Sequence, residues 1–374
     1  MKIGVDARAL TRSLTGIGRY TLEMCKVLST LPDVELHLYS PSPIHAHFKD
    51  QNGIRKKASA CHSSLARQLW SETVLPAWVK QDKPDVFWGP AHCLPRYLPK
   101  DVARVVTIHD LVWKYAADTM RPVTRWLEKF HMPFAVTTAD KIVADSTATA
   151  NAVKTEFGIE ESRVEVVTLG ATSLESLRND ALLAQFNLGK NYFLFVGTLE
   201  PRKNLDRLLT AYAALPQETK NQAMLLIAGG QGWGNLALEK RIEQLNIKQH
   251  VRLIGYINES ILATLYANAL FLAMPSLYEG FGLPLVEAMR FGTPVLTSNT
   301  SSMPEVSGSA GLLVNPLDTQ SIQDGLRQLI ENDVLRKQLA SEAKPSAARF
   351  NWTLSGAKLL QVFHEAINCR NALI

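Results

Sequence analysis

The sequence is poor in cysteine and contains no long hydrophobic run. Its four cysteines, Cys25, Cys61, Cys93 and Cys369, are scattered, without a C-x-x-C pair or a spacing typical of metal ligands. This pattern excludes a disulfide framework and favours reduced thiols in a cytoplasm. No apolar stretch approaches the roughly 18 residues that cross a bilayer. The opening MKIGVDAR also lacks the apolar core of a signal peptide. We therefore expect a cytoplasmic protein.

The net charge is low, at +5, but it is unevenly spread. Between Lys49 and Arg104 there are ten lysines and arginines against five aspartates and glutamates. Trp70 and Trp78 lie within this stretch, and a second basic and aromatic patch runs from Lys114 to Phe134. Such surfaces bind anionic partners, whereas the alternative is a solvated face over buried tryptophans. No nucleic-acid-binding motif accompanies the charge, so nucleic acid is the least favoured of these partners.

The length and the apolar pattern predict two α/β domains. A chain of 374 residues exceeds the roughly 250–300 residues that one core supports. Short apolar runs alternate with helical patterns, as in parallel sheets covered by helices on both faces. We predict a first domain over residues 1–170, a linker over 171–190, a second domain over 191–352 and a C-terminal helix within 353–374.

Twelve strands are predicted from apolar runs bounded by turn residues. They are Met1–Asp6, Val34–Tyr39, Asp85–Trp88, Val102–Ile108, Lys141–Ala144, Val164–Thr168, Tyr192–Val196, Met224–Ala228, Val251–Ile254, Ala269–Met274, Pro294–Ser298 and Leu312–Val314. Apart from the strands predicted within it, the basic segment Lys49–Arg104 is treated as irregular.

The stretch SLYEGFGLPLVEAM, residues 276–289, is the most specific motif of the chain. It follows an apolar run and places Glu279 and Glu287 eight positions apart. Pro284 sits where a helix begins, since its ring presets φ and the first helical N–H needs no partner. Gly292 predicts the end of that helix. Glu279 is therefore expected on a strand-to-helix loop, and Glu287 about one turn into the helix.

This arrangement suits a polyol that carries phosphate. Carboxylates accept hydrogen bonds from sugar hydroxyls, and helix N-termini and glycine-rich loops favour anions. For either glutamate alone, an ordinary surface position is the alternative. The defined glycine, aromatic and proline positions make the whole string far more specific than either residue.

Three other loops carry weaker candidates. Gly16 and Gly18 precede a predicted helix, Tyr20–Leu31, where they either admit a phosphate or form a simple turn. His109 follows a strand, where open α/β sheets bind ligands, although a lone histidine there is more often structural. Ser146 either caps the next helix or touches a substrate.

Two further loops lie in the second half of the chain. Arg202 and Lys203, within GTLEPRKN, either clamp a diphosphate or remain inert as exposed charges. The glycine-rich stretch 229–234 suggests a dinucleotide fingerprint, but its glycines are consecutive and no acidic residue ends a following strand. We interpret it as a flexible turn.

The motif with two glutamates resembles the E-x7-E signature of retaining, nucleotide-sugar-dependent glycosyltransferases of family 4. The resemblance implies the GT-B fold, two Rossmann-like domains that face a deep interdomain cleft, with the C-terminal helix crossing back to the first domain. It implies that Glu279 holds hydroxyls of the donor sugar and that Glu287 holds the nucleotide ribose. Backbone N–H groups of Phe281, Gly282 and Leu283 would lie near the donor sugar and the diphosphate.

The same resemblance assigns Gly16 and Gly18 to the diphosphate or the acceptor, His109 to the donor sugar, and Tyr256 to the nucleotide base. It places Arg202 and Lys203 at the family's phosphate-binding position.

One departure from the family pattern concerns this phosphate-binding loop. Many members carry an arginine directly after the glycine, where this chain has Thr198. Arg202 is therefore expected to supply that charge.

The chemistry that the resemblance implies is metal-free mannosyl transfer. The sequence contains no D-x-D triad, so we expect no metal and no other cofactor. The pattern is similar to GDP-mannose-dependent mannosyltransferases of bacterial O-antigen and exopolysaccharide synthesis. This implies a lipid-linked glycan acceptor and peripheral contact with the cytoplasmic face of the inner membrane. The alternatives are a UDP-sugar donor, a nucleotide-sugar epimerase, a non-catalytic sugar-nucleotide-binding protein and, least favoured, a dinucleotide oxidoreductase.

Overall fold

The chain forms two compact units, each built on one parallel sheet. The computed structural model describes residues 1–11, 16–44, 48, 53–171, 191–230, 232–233 and 237–373. One unit comprises Met1–Leu111, Val123–Gly170 and Asn351–Ile374, and the other comprises Val112–Pro122 and Ala171–Phe350. The segment Val112–Pro122 lies within the range predicted for the first domain but groups with the second unit. The predicted linker lies outside the described residues apart from Ala171.

The first unit has seven parallel strands in the order β3-β2-β1-β4-β5-β6-β7. Its central strands are buried along their whole length, because helices cover both faces of the sheet. The strands are β1 (Lys2–Asp6), β2 (Glu35–Ser40), β3 (Ile54–Ala58), β4 (Val86–Gly89), β5 (Ala103–Ile108), β6 (Lys141–Ala144) and β7 (Val164–Val166). The helices up to this point of the chain are α1 (Gly16–Ser29), α2 (Ser64–Glu72), α3 (Val74–Asp82), α4 (Val112–Tyr115), α5 (Pro122–Thr138) and α6 (Thr147–Phe157). Of these, α4 groups with the second unit.

The second unit has six parallel strands in the order β10-β9-β8-β11-β12-β13. They are β8 (Tyr192–Val196), β9 (Met224–Ala228), β10 (Val251–Gly255), β11 (Leu272–Met274), β12 (Val295–Ser298) and β13 (Gly311–Val314). The helices are α7 (Leu205–Ala213), α8 (Gln217–Gln222), α9 (Leu238–Gln244), α10 (Glu259–Asn268), α11 (Leu283–Arg290), α12 (Met303–Ser307), α13 (Thr319–Glu331) and α14 (Asp333–Ala348). A cluster of buried aliphatic and aromatic side chains joins these helices to the sheet.

All twelve predicted strands are present, with ends shifted by up to three residues. The treatment of the basic stretch as irregular was wrong, because it contains β3, α2 and α3. Strand β3, IRKKA, is an edge strand whose residues are exposed or half-buried. Such a strand needs no run of apolar residues, so the apolar pattern did not indicate it.

Two of the charges and one of the two tryptophans of this stretch fit the alternative of a solvated face over a buried tryptophan. Arg55 pairs with Glu35 at 2.6 Å, and Lys57 pairs with Asp82 at 2.6 Å. Trp70 is 1% exposed, so it packs in the interior and does not form part of an aromatic surface.

The last helix, α15 (Trp352–Asn371), belongs to the first unit. Two ion pairs join it to the start of β6: Glu365 with Lys141 at 2.6 Å, and Arg370 with Asp140 at 2.8 Å. It packs against α1 so closely that a Cβ added at Gly356 would lie 2.4 Å from Val27 Cγ1. The first unit is therefore completed by residues from the far end of the chain.

Candidate active site

The loop between β11 and α11 carries Glu279 as the sequence predicts. Helix α11 begins at Leu283 with Pro284 as its second residue, and Glu287 lies one turn in. Gly282 caps the helix with a φ of +104°, a conformation that disfavours residues with a Cβ. A Cβ there would also lie 2.7 Å from Met303 Cε. The Gly-Phe-Gly sequence thus permits a sharp entry into the helix.

The Glu279 carboxylate binds both cations of the neighbouring loop. Lys203 Nζ donates to Oε1 at 2.5 Å, and Arg202 Nη1 donates to Oε2. Arg202 Nε also donates to Glu200 Oε2 at 3.2 Å. Glu279 and Lys203 are 6% exposed each. Two cations and two carboxylates therefore form one compact, charge-balanced cluster.

Electrostatics keep the central carboxylate ionised. Burial raises the pKa of Glu279, but the attraction of Arg202 and Lys203 outweighs burial and brings the pKa down to about 2. Burial lowers the pKa of Lys203, as does the like charge of Arg202. The attraction of Glu279 opposes both effects and favours the charged form of Lys203.

Sequence reasoning missed the residues that hold this loop. Ser301 Oγ accepts the Glu279 N–H at 3.1 Å, and Ser302 Oγ donates to the carbonyl oxygens of Glu279 and Phe281 at 2.9 and 3.0 Å. Asn204, at a φ of +61°, donates through Nδ2 to the carbonyl oxygens of Pro275 and Pro316. The sequence gives little indication of these partners, because they lie on loops remote from the motif along the chain.

Glu287 is buried and hydrogen-bonded, whereas Tyr256 is exposed. Glu287 is 5% exposed, and its Oε2 accepts the Tyr266 hydroxyl at 2.9 Å. Tyr266 comes from α10, and no motif indicated it. Tyr256 follows the end of β10 and is 83% exposed, so its ring is accessible to a ligand. Phe281 is buried edge-on against Phe350, so only its backbone is a candidate for binding.

The glycine-rich turn after β9 has a packing explanation. Gly229 N–H donates to the carbonyl oxygen of Gly255 at 2.8 Å, and a Cβ at Gly229 would lie 1.9 Å from the carbonyl oxygen of Gly197. The Leu199 N–H donates to the carbonyl oxygen of Gly230 at 3.1 Å. The glycines thus let the ends of β8, β9 and β10 approach one another. Residues 231 and 234–236 of this turn lie outside the described part.

In the first unit, His109 is held on both ring nitrogens. Nδ1 lies 2.6 Å from Asp145 Oδ2, and Nε2 donates to the Pro90 carbonyl oxygen at 2.8 Å. The residue is 7% exposed, and burial raises the pKa of Asp145. In this structure neither nitrogen can bind a sugar unless one of these bonds breaks, which matches the structural alternative for a histidine here.

The placement of Gly16 and Gly18 before a helix was wrong. Helix α1 begins at Gly16, so both glycines lie in its first turn. The preceding residues 12–15 lie outside the described part.

The capping interpretation of Ser146 is confirmed, because its Oγ accepts the Thr149 N–H at 3.1 Å.

The described residues include neither a cluster of metal ligands nor a helix that could span a membrane. No group of three or more His, Cys, Asp or Glu residues there could hold a metal ion. Within those same ranges no helix combines the length and apolarity that crossing a bilayer requires.

Two family descriptions match the chain, Glycosyltransferase Family 4 over residues 14–171 and Glycosyl transferases group 1 over residues 183–345. The chain is 32% identical to O-antigen chain mannosyltransferase B of Escherichia coli, over 96% of this chain and 100% of that protein. It is 30% identical to the serotype-specific mannosyltransferase WbdA of Escherichia coli, over 57% of this chain and 27% of that protein.

Solved structures share the fold over nearly the whole chain. A sucrose-phosphate synthase from Thermosynechococcus elongatus matches with a TM-score of 0.77 at 20% identity, covering 98% of both chains. WaaG, a glycosyltransferase involved in lipopolysaccharide biosynthesis, matches with a TM-score of 0.77 at 18% identity, covering 96% of this chain and 98% of that chain. Both likenesses show two parallel-sheet, Rossmann-like units.

Proposed function

Because this chain belongs to the GT-B glycosyltransferases that join a family 4 domain to a group 1 domain, we propose that it transfers mannose from GDP-mannose to a lipid-linked glycan in O-antigen synthesis. The proposed transfer retains the anomeric configuration. The observation that carries the proposal is the 32% identity to an O-antigen chain mannosyltransferase over 96% of the chain. The glycosyl transfer itself follows from the family, whereas the sugar, the nucleotide and the acceptor are proposed.

The cluster around Glu279 supports a chemical role in this transfer. Arg202 and Lys203 are proposed to bind the diphosphate and to offset the charge that grows on it as the bond from the sugar C1 breaks. The acceptor oxygen forms its new bond to C1 on the same face, and its proton passes to the departing phosphate oxygen. The positions of both cations are fixed by Glu279 beforehand, so little reorganisation is needed at the moment of transfer.

The remaining roles in the second unit follow from the chemistry of the side chains. Glu279 is proposed to accept hydrogen bonds from donor-sugar hydroxyls through its remaining lone pairs. Glu287 is proposed to accept from the ribose, with its carboxylate oriented by the Tyr266 hydroxyl. The backbone N–H groups of 281–283 are proposed to face the diphosphate, and Tyr256 the base.

In the first unit, Gly16 and Gly18 are proposed to face the diphosphate or the acceptor. For His109 we propose contact with the donor sugar through Nε2, which requires that its bond to the Pro90 carbonyl oxygen break while Asp145 holds Nδ1. We also propose that no metal takes part, because the cationic side chains of the second unit supply the positive charge that the leaving group needs.

Contact with the anionic inner leaflet is also proposed, and α5 supports it. Its first turns expose four large apolar side chains, Val123, Trp126, Leu127 and Phe130, by 71%, 59%, 37% and 51%. The rings of Trp126 and Phe130 lie 4.6 Å apart, and the same turns carry Arg125 and Lys129. Aromatic rings beside cations suit the interface of an anionic membrane.

The proposed donor is tested by thermal unfolding with GDP, UDP, ADP and NADH. A ligand at about 100 times its dissociation constant adds about 2.7 kcal/mol of stability, which corresponds to a rise of several degrees at about 2–4 °C per kcal/mol. A shift with GDP alone supports the mannosyl donor, whereas a shift with UDP alone overturns it. A shift with NADH alone contradicts the proposal as a whole.

The proposed products are tested by incubating the protein with GDP-mannose and a mannose-terminated acceptor, with and without EDTA. NMR of the product should show an α-linked mannose, and the rate should not depend on EDTA. A product of inverted configuration would contradict the proposed stereochemistry. Conversion of GDP-mannose to another nucleotide sugar without acceptor would indicate an epimerase.

A further inference from the structure

The first unit contains a cavity, lined by both polar and apolar side chains, that the roles proposed above do not use. It has a volume of about 150 Å³ and is lined by residues of α2, α5 and the segments that follow β1 and β4, among them Arg8, Glu72, Ala91, His92 and Glu128. Segments that follow parallel strands form the edge where open α/β sheets bind ligands. The cavity therefore lies where the fold favours a binding site.

On one side of the cavity lies the carboxylate of Glu128, which is hydrogen-bonded to the buried His92. His92 is 6% exposed, and its Nε2 accepts the backbone N–H of His109 at 3.0 Å. The ring proton then sits on Nδ1, which donates to Glu128 Oε2 at 3.2 Å. A carboxylate has lone pairs for about four hydrogen bonds, so Glu128 keeps acceptor capacity for a ligand.

A guanidinium and a second carboxylate complete the polar lining. Arg8 Nε donates to both oxygens of Asp6, at 2.9 and 2.8 Å, which orients the guanidinium. Arginine has five N–H donors in all, so others remain for a ligand. Glu72 Oε2 accepts the Arg96 N–H at 3.0 Å. Asp6 thus orients the Arg8 guanidinium, and the Arg96 N–H orients the Glu72 carboxylate. Both oriented groups still have hydrogen-bonding capacity.

This lining selects a small, neutral, hydroxyl-rich molecule. Glu72 and Glu128 disfavour an anion such as phosphate, and Arg8 disfavours a metal ion. Hydroxyl groups both donate and accept, so they match carboxylates beside a guanidinium. The volume is below the roughly 300–1,000 Å³ of sites for drug-sized ligands. It suits a single sugar ring.

We propose that this cavity binds one neutral pyranose residue of the glycan acceptor, with Glu72, Glu128 and Arg8 as its hydrogen-bonding partners. The assignment rests on the proposed glycosyl transfer. Its position beside α5 is consistent with a lipid-linked acceptor, since Leu127 lines the cavity on the same helix that exposes Trp126 and Phe130.

The binding test uses the full chain with methyl α-mannopyranoside as the probe. Saturation-transfer NMR should detect the probe on the wild type and show at least about tenfold weaker binding in Glu128→Gln, which removes a charged acceptor. Glutamine can still accept from His92, so this variant should fold. Ala91→Leu, which fills the cavity, should weaken binding similarly. Glu161→Gln, 89% exposed in the same unit, is the matched control and should bind normally.

The transfer test separates this site from the proposed function. In Glu128→Gln and Ala91→Leu, the acceptor KM should rise about tenfold while the donor KM stays within about twofold. An unchanged acceptor KM in both folded variants, or equal probe binding by the wild type and Ala91→Leu, would overturn the site. Probe binding that Ala91→Leu abolishes, in a protein that transfers no sugar, would instead retain the site and refute the glycosyl transfer.

Discussion

At the scale of single residues, the Glu279 carboxylate is the centre of the candidate site, since it binds both Arg202 and Lys203. Glu279→Gln keeps the shape of the side chain but removes the charge that orders the two cations. We expect kcat to fall about 10²-fold, the size of effect typical when one preorganised electrostatic group is lost.

The measurement is initial-rate transfer from GDP-mannose, with folding checked by circular dichroism. Glu239→Gln, an exposed residue of α9, removes the same charge elsewhere in the second unit and should keep the wild-type rate. A Glu279→Gln protein with unchanged turnover would contradict the role assigned to the cluster.

The same carboxylate should make stability depend on pH. Its pKa is about 2 in the folded protein, against an ordinary value of 4.5. Because the pKa is lower in the folded than in the unfolded protein, the ionised Glu279 adds to the unfolding free energy above pH 4.5. This contribution is lost as the pH falls from 4.5 towards 2. Between pH 5 and pH 3 the wild type should therefore lose more unfolding free energy than Glu279→Gln.

Urea titrations of both proteins at pH 5, 4 and 3 measure this difference. Other carboxylates contribute equally to both proteins, so only the difference between the two curves is informative. Parallel curves would show that Glu279 does not titrate in the way its surroundings indicate.

The sequence could predict the positions of Glu279 and Glu287, because Pro284 and the glycines define a strand, a turn and a helix start within a few residues. It could not predict that Ser301, Ser302 and Tyr266 hold the motif. Those contacts join residues about 20 positions apart in the chain and depend on how neighbouring strands and helices pack.

At the scale of elements, the exposed turns of α5 give a testable surface. The double change Trp126→Ser with Phe130→Ser removes two half-exposed rings, and burial of each such ring in a membrane is worth up to about 1.5–3 kcal/mol. We expect binding to phosphatidylglycerol vesicles to weaken by at least about tenfold.

Co-sedimentation with vesicles provides the measurement, and phosphatidylcholine vesicles report the contribution of charge. The matched control is Leu317→Ser with Val334→Ser, two side chains 69% and 78% exposed in the second unit. Equal losses in both double variants would indicate non-specific adsorption and would contradict a docking role for α5.

A second element, α15, is fixed to α1 by close packing at Gly356. A valine there would place its Cβ 2.4 Å from Val27 Cγ1. We expect Gly356→Val to destabilise the first unit by about 1–3 kcal/mol, as overpacked interiors do.

Thermal unfolding measures this effect, with Gly16→Ala as the control. A Cβ at Gly16 meets nothing within 4 Å, so the control should not lower the melting temperature. If Gly356→Val unfolds at the wild-type temperature, the two helices do not pack as closely as the structure indicates.

The sequence predicted buried elements better than exposed ones. Strands β6, β8 and β9 match their predicted bounds residue for residue, because strands covered on both faces consist mainly of apolar residues. Strand β3 was missed because an edge strand of lysine and arginine has no such constraint. The residue at which α1 begins could not be predicted, since glycine is equally compatible with a turn and with a first helical turn.

At the scale of the whole molecule, the residues proposed to bind the donor divide unequally between the two units. Arg202, Lys203, Glu279 and Glu287 all belong to the second unit. GDP should therefore slow amide hydrogen exchange most strongly in the second unit, at residues 197–204 and 279–290. Hydrogen-exchange mass spectrometry with and without GDP makes the measurement, with ADP as the control nucleotide. Protection confined to the first unit would contradict the assignment.

The first unit is interrupted in sequence by nearly the whole of the second, and α15 completes it. During synthesis the ribosome must therefore release the second unit before the first can acquire its last helix. Until then, the surface of α1 and the sheet that α15 covers stays exposed, although domains generally fold in the order in which they are made. The unit that is translated first should thus be the last to finish folding, and it should depend longest on chaperones.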